Sequence, residues 1–144
     1  MIKTNPALRF TGHLFICVGV LFIIWFVPLF SYILFEAYRN IFDAFGFLSY
    51  AFLFICHFAL ILSYYKRQFS LFALPLAHLI FWILSSAAYF VVYLITGVFD
   101  FGYMAVFYFI FGGCYFIPFT IITSLISTVI TLYRKRRIKD ENAN

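Results

Sequence analysis

The sequence predicts an all-α integral membrane protein, an antiparallel bundle of four transmembrane helices with its N and C termini in the cytoplasm. Three observations predict it. The ten basic and five acidic residues all fall in the short stretches 3–9, 36–43, 66–67, 100 and 134–141, and four long runs between them carry no charge. Hydrophobic residues make up 66% of the chain and charged residues 10%, against about a quarter charged in ordinary soluble domains. The basic residues, finally, collect at every second boundary between the apolar runs. A soluble domain of 144 residues has too much surface for its volume to hide so much apolar area. A hydrocarbon core about 30 Å thick needs about 20 apolar residues of helix, and each uncharged run meets that length. One membrane-embedded domain, 1–133, is expected, followed by a basic cytoplasmic tail, 134–144.

Span one is expected over about 14–35, interrupted by Pro28. Lys3 and Arg9 ahead of it resemble the charged start of a signal peptide. The run is too long for a cleavable segment and no small-residue cleavage pattern follows, so it reads as a retained span. Beyond it, Glu36, Arg39, Asn40 and Asp43 recur at i, i+3, i+4 and i+7. That spacing puts them on one helical face, opposite Phe35, Tyr38, Phe42 and Phe45. Span one should therefore continue as helix past the membrane edge, with Glu36–Arg39 and Arg39–Asp43 at ion-pair spacing. This polar face reads as a solvated helix end or as a docking surface for an external partner.

Span two is expected over about 45–65 and span three over about 71–95, with Pro75 in its first turn, where proline is tolerated. Span four lies within 101–133, with its membrane part at about 104–133. Thirty-three residues of helix would reach about 50 Å, so this segment is either one tilted or kinked helix or a span preceded by an aromatic interfacial piece, 101–111. The absence of a charged or turn residue between Gly102 and Phe111 favours the kinked helix, with Gly112, Gly113 and Pro118 as break points. Short connections make consecutive spans antiparallel neighbours.

Orientation follows from the basic residues. Lys3, Arg9, Lys66, Arg67, Arg134, Lys135, Arg136, Arg137 and Lys139 lie on one side, and Arg39 alone on the other. That imbalance places both termini in the cytoplasm, with Arg134–Arg137 as the topology anchor. The same residues attract anionic headgroups. The end of the tail, Asp140–Asn144, reads as unstructured. The net charge of +5 thus answers to the bilayer, and no nucleic-acid-reading motif accompanies it. A cell membrane is the expected location, with the bacterial inner membrane foremost.

Two constellations carry polar chemistry into the spans. His57 and His78 lie equally far from the turn between spans two and three, so they should share one depth, about 12–14 Å from the cytoplasmic edge. Ionisable groups at membrane depth are functional candidates. Two histidines can relay a proton or, with Cys56, hold a metal, or they can simply bond to each other between helices. With no carboxylate nearby, a metal site is not expected. Thr120, Thr123, Ser124, Ser127, Thr128 and Thr131 recur on one stripe of span four. Small hydroxyl residues let helices approach and bond across helices or back to the i−4 carbonyl. Counting back from Tyr133 puts Ser124, Ser127 and Thr128 level with the histidines, as one intramembrane polar layer. The stripe reads as a packing seam or as a hydroxyl-lined path.

Cys17, Cys56 and Cys114 stand alone inside apolar runs and form no disulfide framework. The sequence has no phosphate loop, no nucleophile elbow, no H-E-x-x-H and no paired intramembrane carboxylates. An enzyme is not expected, and neither catalytic residues nor a cofactor are assigned. Two functions fit. One is an accessory subunit, or an immunity-type protector against a membrane-active toxin, working through intramembrane helix contacts with a protein partner. The other is a transporter or channel for a small solute, ion or proton, working as a homo-oligomer.

Overall fold

The computed structural model describes residues 5–66 and 70–141. Lys3, Arg67 and the side chains of Lys66 and Lys139, which enter the charge argument, lie outside this description, as do residues 142–144. The described chain is all-helical and contains no strand. Four helices are long and apolar enough to cross a membrane: Pro6–Leu34, Leu48–Tyr65, Ala73–Thr96 and Phe99–Arg137.

The first begins as α1 (Pro6–Leu21), capped by the Asn5 side chain on the Ala7 amide at 3.1 Å, with Pro6 at the first helical position. Proline there gives up an amide that no helix could have used. A wide π-helical turn, Phe22–Phe26, then leads into α2 (Val27–Leu34). Pro28 explains its place. Proline lacks the amide for the carbonyl four residues back, and its ring collides with that carbonyl. The wide turn just before it lets Val27 bond to the Phe22 carbonyl instead. It also helps to keep Cys17, Leu21, Trp25 and Leu29 buried on one side. At four-residue steps a regular helix would carry that stripe round by about 40° each time.

The predicted continuation of this helix past the membrane edge does not occur. Phe35 is extended (φ −120°, ψ 119°), and a separate helix, α3 (Glu36–Phe45), follows. None of its residues is buried. Gly46, at φ 42°, turns the chain into α4 (Phe47–Lys66), a conformation that favours glycine. After Ser70–Phe72 comes α5 (Ala73–Thr96), closed by Gly97 in the left-handed region, whose amide returns to the Tyr93 carbonyl at 2.8 Å.

The last membrane-length helix starts at Phe99, five residues before the predicted 104. It comprises α6 (Phe99–Phe107), a second wide turn at Tyr108–Gly112, and α7 (Gly113–Glu141). The 101–111 segment is continuous with the helix that follows, with Phe101 and Tyr108 buried and α6 packed closely on α5. Asp140 and Glu141, expected to be unstructured, are helical.

Helix α5 is the centre, packed against α1, α6 and α7. Its stripe Leu74, His78, Phe81, Ser85 and Tyr89 is fully buried. The wide turns release backbone carbonyls, and in hydrocarbon each needs a donor. Aromatic side chains supply them. Trp82 Nε1 donates to the carbonyls of Tyr108 (2.9 Å) and Phe109 (3.2 Å). Tyr108 and Tyr89 reach the Trp25 and Phe26 carbonyls at 3.4 and 3.5 Å, both long contacts. Gly113 makes the Trp82 approach possible, since a Cβ there would sit 3.0 Å from Trp82 Cζ2.

Gly113→Ala should therefore destabilise the protein by about 1–3 kcal/mol through overpacking. Gly12→Ala, with no heavy atom within 4 Å of the new Cβ, should be neutral or stabilise by up to about 1 kcal/mol through helix propensity. Equilibrium unfolding in mixed micelles checks both, and equal effects would contradict the Trp82 contact.

Candidate functional site

Four helices contribute to one buried polar node. His57 from α4 and His78 from α5 are both fully buried, and their Nε2 atoms lie 2.8 Å apart. The Tyr115 hydroxyl of α7 lies 2.9 Å from His57 Nδ1. Trp25 completes the set from the first wide turn, its ring edge-on to His57 at 6.0 Å between centroids. Phe119 stacks on His57 at 5.2 Å.

The pairing constrains the protons. A bond between two Nε2 atoms needs one donor and one acceptor, so the two rings hold complementary tautomers. If Tyr115 donates to His57 Nδ1, His57 Nε2–H donates to His78 Nε2. His78 then carries its proton on Nδ1, beside the Leu74 carbonyl one turn back. That bond is poorly formed, because His78 Nδ1 has no partner of good geometry among the described residues. The reverse arrangement leaves a bare Nδ1 lone pair facing the same carbonyl. In either arrangement Tyr115, His57 and His78 form one connected series.

The hydroxyl stripe is divided. Thr123 and Ser127 are buried, Thr120, Ser124 and Thr131 half-buried, and Thr128 exposed. Thr120, Thr123, Thr128 and Thr131 bond back to carbonyls one turn earlier in their own helix, at 2.6–2.9 Å. Ser127 crosses to the Leu71 carbonyl at 2.5 Å. Tyr65 joins it, donating to the Thr123 carbonyl at 2.7 Å and lying 3.1 Å from Ser127 Oγ.

The expected single layer of His57, His78, Ser124, Ser127 and Thr128 is thus two clusters. The histidines sit level with Tyr115 and Phe119, and Ser127 lies eight residues further along α7, about 12 Å of helical rise. The counting error has a physical cause. The helix continues well past Tyr133, so Tyr133 is no counterpart of Tyr65 in depth. The second cluster also holds the chain entering α5. His13 Nδ1 lies 3.0 Å from both the amide and the hydroxyl of Ser70, and Tyr64 donates to the Ser70 carbonyl.

On the opposite end, the expected pairs Glu36–Arg39 and Arg39–Asp43 give way to another. Arg39 bonds Asp100, in the first turn of α6, at 3.0 Å, with its guanidinium 5.7 Å from the Tyr32 ring centroid. Asp43 faces the Tyr32 hydroxyl at 3.5 Å, while Glu36 and Asn40 are exposed. The break at Phe35 separates α3 from α2, and Arg39 meets the start of α6. Arg134, Lys135, Arg136 and Arg137 are all exposed at the end of α7. No group of three or more His, Cys, Asp or Glu suited to a metal occurs among the described residues.

Sequence reasoning missed Tyr115, Trp25, Tyr65 and His13. The first three are aromatic residues among many, and nothing in their spacing marks them. His13 stood ahead of the assumed start of span one.

A double-mutant cycle on His57→Leu and His78→Leu should show coupling of about 0.5–2 kcal/mol, the range for interhelical hydrogen bonds in membranes. Additive effects in an unfolding titration would mean that the two rings do not bond. No protein-family model matches this chain, and no curated protein or solved structure matches it either.

Proposed function

We propose that this chain is a non-enzymatic, multi-pass membrane protein that acts through helix contacts made within the bilayer. In this reading it serves as an accessory subunit, or as an immunity-type protector against a membrane-active toxin, in the bacterial inner membrane. Its four membrane-length helices run antiparallel with both termini in the cytoplasm. The pairing of His57 with His78 and of Tyr64 with Ser70 supports opposite directions for α4 and α5. The constant offset of His57 to Tyr115 and Tyr65 to Thr123 supports a common direction for α4 and α7. The weight of basic residues on one side supports the orientation.

One observation carries the functional reading. The imidazoles in the middle of the bundle contact each other and Tyr115 and have no exposure, with His78 Nδ1 left without a partner among the described residues. The outer wall carries the edge of the hydroxyl stripe, half-buried Ser124 and exposed Thr128, beside exposed Leu125 and Val129. Chemistry enclosed in the bundle leaves the outer wall to do the work, and a hydroxyl edge among apolar side chains suits close approach of another helix. The polar outer face of α3 offers that partner an external contact.

A second reading rests on the buried node itself. Tyr115, His57 and His78 form a connected series, and protons can move along such a series in a homo-oligomeric transporter.

Purification of the tagged chain in mild detergent separates the two. The first reading expects a stoichiometric membrane-protein partner, or a second copy, that is lost on Thr128→Phe and retained on Phe15→Ala. A partnerless chain whose liposomes conduct protons, with flux abolished by His57→Leu and by His78→Leu, would contradict it and establish the second. For orientation, a cysteine-free background carrying Glu36→Cys should react with an impermeant maleimide from outside intact cells. Arg134→Cys should react only after permeabilisation, and the opposite pattern would overturn the topology.

A further inference from the structure

A cavity of about 420 Å³, open to the surface, lies between the start of α1, the segment leading into α5, and α7 at Thr131 and Arg134. It falls within the size range of small-molecule sites, roughly 300–1,000 Å³. Arg9 and Arg134 come from opposite ends of the chain, yet both line it. Both are exposed, so a ligand can reach them. No acidic side chain lines the cavity, and the one ion pair among the described residues joins Arg39 to Asp100 instead. Two like charges drawn to one small cavity repel each other, and an anion between them removes that cost. Pro6, the first residue of α1, also lines the cavity, so the positive end of that helix adds to the field.

The remaining polar side chains of the cavity have their protons committed elsewhere. Thr131 donates to the Ser127 carbonyl at 2.8 Å. His13 Nδ1 accepts the Ser70 amide at 3.0 Å, so it carries no proton, and the Ser70 hydroxyl at 3.0 Å donates to it as well. The donors left to a ligand among the lining side chains are the two guanidiniums. Each presents a planar fork of N–H groups, which matches an anion with several oxygens. The wall ahead of α5 is held from three helices: by His13 of α1, by Tyr64 of α4 at the Ser70 carbonyl, and by Ser127 of α7 at the Leu71 carbonyl. A wall fixed in this way loses little freedom when a ligand binds. The rest of the lining is apolar, and Phe72 is 48% exposed beside the charges.

We propose that this cavity binds the phosphate headgroup of an anionic phospholipid, with Arg9 and Arg134 on the phosphate oxygens and Phe72 against the first carbons of its chains. Three observations select that class. The paired guanidiniums without a carboxylate call for an oxyanion. The apolar lining beside them calls for an amphiphile rather than a fully soluble ion. The position also fits, because Arg134 stands where the apolar run of α7 gives way to basic residues, at the level where headgroups meet arginine side chains. This is one site of fixed composition, distinct from the general pull of basic residues towards an anionic surface. It requires a chain that crosses a membrane and stands whether the chain works through a protein partner or carries protons.

The test titrates the full chain, stripped of lipid in a non-ionic detergent, with phosphatidylglycerol and with phosphatidylcholine, and counts bound lipid by native mass spectrometry. One phosphatidylglycerol per chain is expected, bound about tenfold more tightly than phosphatidylcholine, and equal affinity for the two overturns the proposal. Arg9→Gln and Arg134→Gln should each weaken phosphatidylglycerol by about tenfold, the scale of one lost charge-assisted hydrogen bond. Arg136 is equally exposed but points about 200° round the helix from Arg134 and lies outside the lining, so Arg136→Gln should change nothing. Equal losses at all three positions mean general electrostatic attraction and overturn the site. Thr131→Phe keeps every charge and fills the cavity, so it should abolish the tight binding, and binding that survives it overturns the proposal too. A last arm separates the two sources of phosphate. Inorganic phosphate should fail to displace the lipid, and displacement at concentrations comparable to those of the lipid would assign the cavity to a soluble anion and overturn the lipid assignment.

Discussion

The bond between His57 and His78 is the interaction on which the other helices take their positions. Lipid is as apolar as leucine, so burial alone does not tell a membrane helix which face to turn inward. A polar side chain does, because an imidazole without a partner in hydrocarbon is costly. Once the two rings meet at 2.8 Å, the rotation of α4 about α5 is set. Tyr115 at the far nitrogen of His57 then fixes α7, and the Trp25 edge fixes the first helix. One node touches all four membrane-length helices. Its worth lies in specificity more than in the modest strength of its bonds.

The same accounting governs the backbone. Two helices widen where Pro28 and the Gly112–Gly113 pair make a regular helix awkward, and each widening frees carbonyls inside the hydrocarbon. Trp82, Tyr89 and Tyr108 answer them, at contacts of graded quality. A chain with 25% aromatic residues thus uses its rings for more than bulk, since indole and phenol each end in a donor. Large rings also hold helices apart. Helix α4 meets its neighbours through Phe54, His57 and Phe58 rather than by close backbone approach, and an aromatic-lined cavity lies in the gap that results.

The sequence carries this architecture at some levels and not at others. Charges bracket the four long helices because a charge is excluded from hydrocarbon whatever its neighbours do. The His57–His78 proximity is readable because a short turn makes depth a matter of counting. Rotation about each axis is not readable that way, and neither Tyr115 nor Trp25 stands out among its kind. Levels on α7 misled for a related reason: Tyr133 is apolar enough to look like a membrane edge, yet the helix runs on through the basic residues. The break at Phe35 has no turn residue to announce it, so Arg39 looked like a partner for Glu36 and Asp43 instead of Asp100. The hydroxyl stripe was visible as a pattern. Its division into buried Thr123 and Ser127 and exposed Thr128 depends on where α4 and α5 sit against it.

The claim that a direct N–H···N bond organises the bundle is open to direct observation. The chain holds three histidines, so ¹⁵N-histidine labelling gives a simple spectrum by magic-angle-spinning NMR in lipid. The structure predicts a scalar coupling across the hydrogen bond between Nε2 of His57 and Nε2 of His78, with the two rings in complementary tautomers and His13 uncoupled from both. Two uncoupled imidazoles at positions 57 and 78, each exchanging its proton freely with water, would contradict the account at its centre.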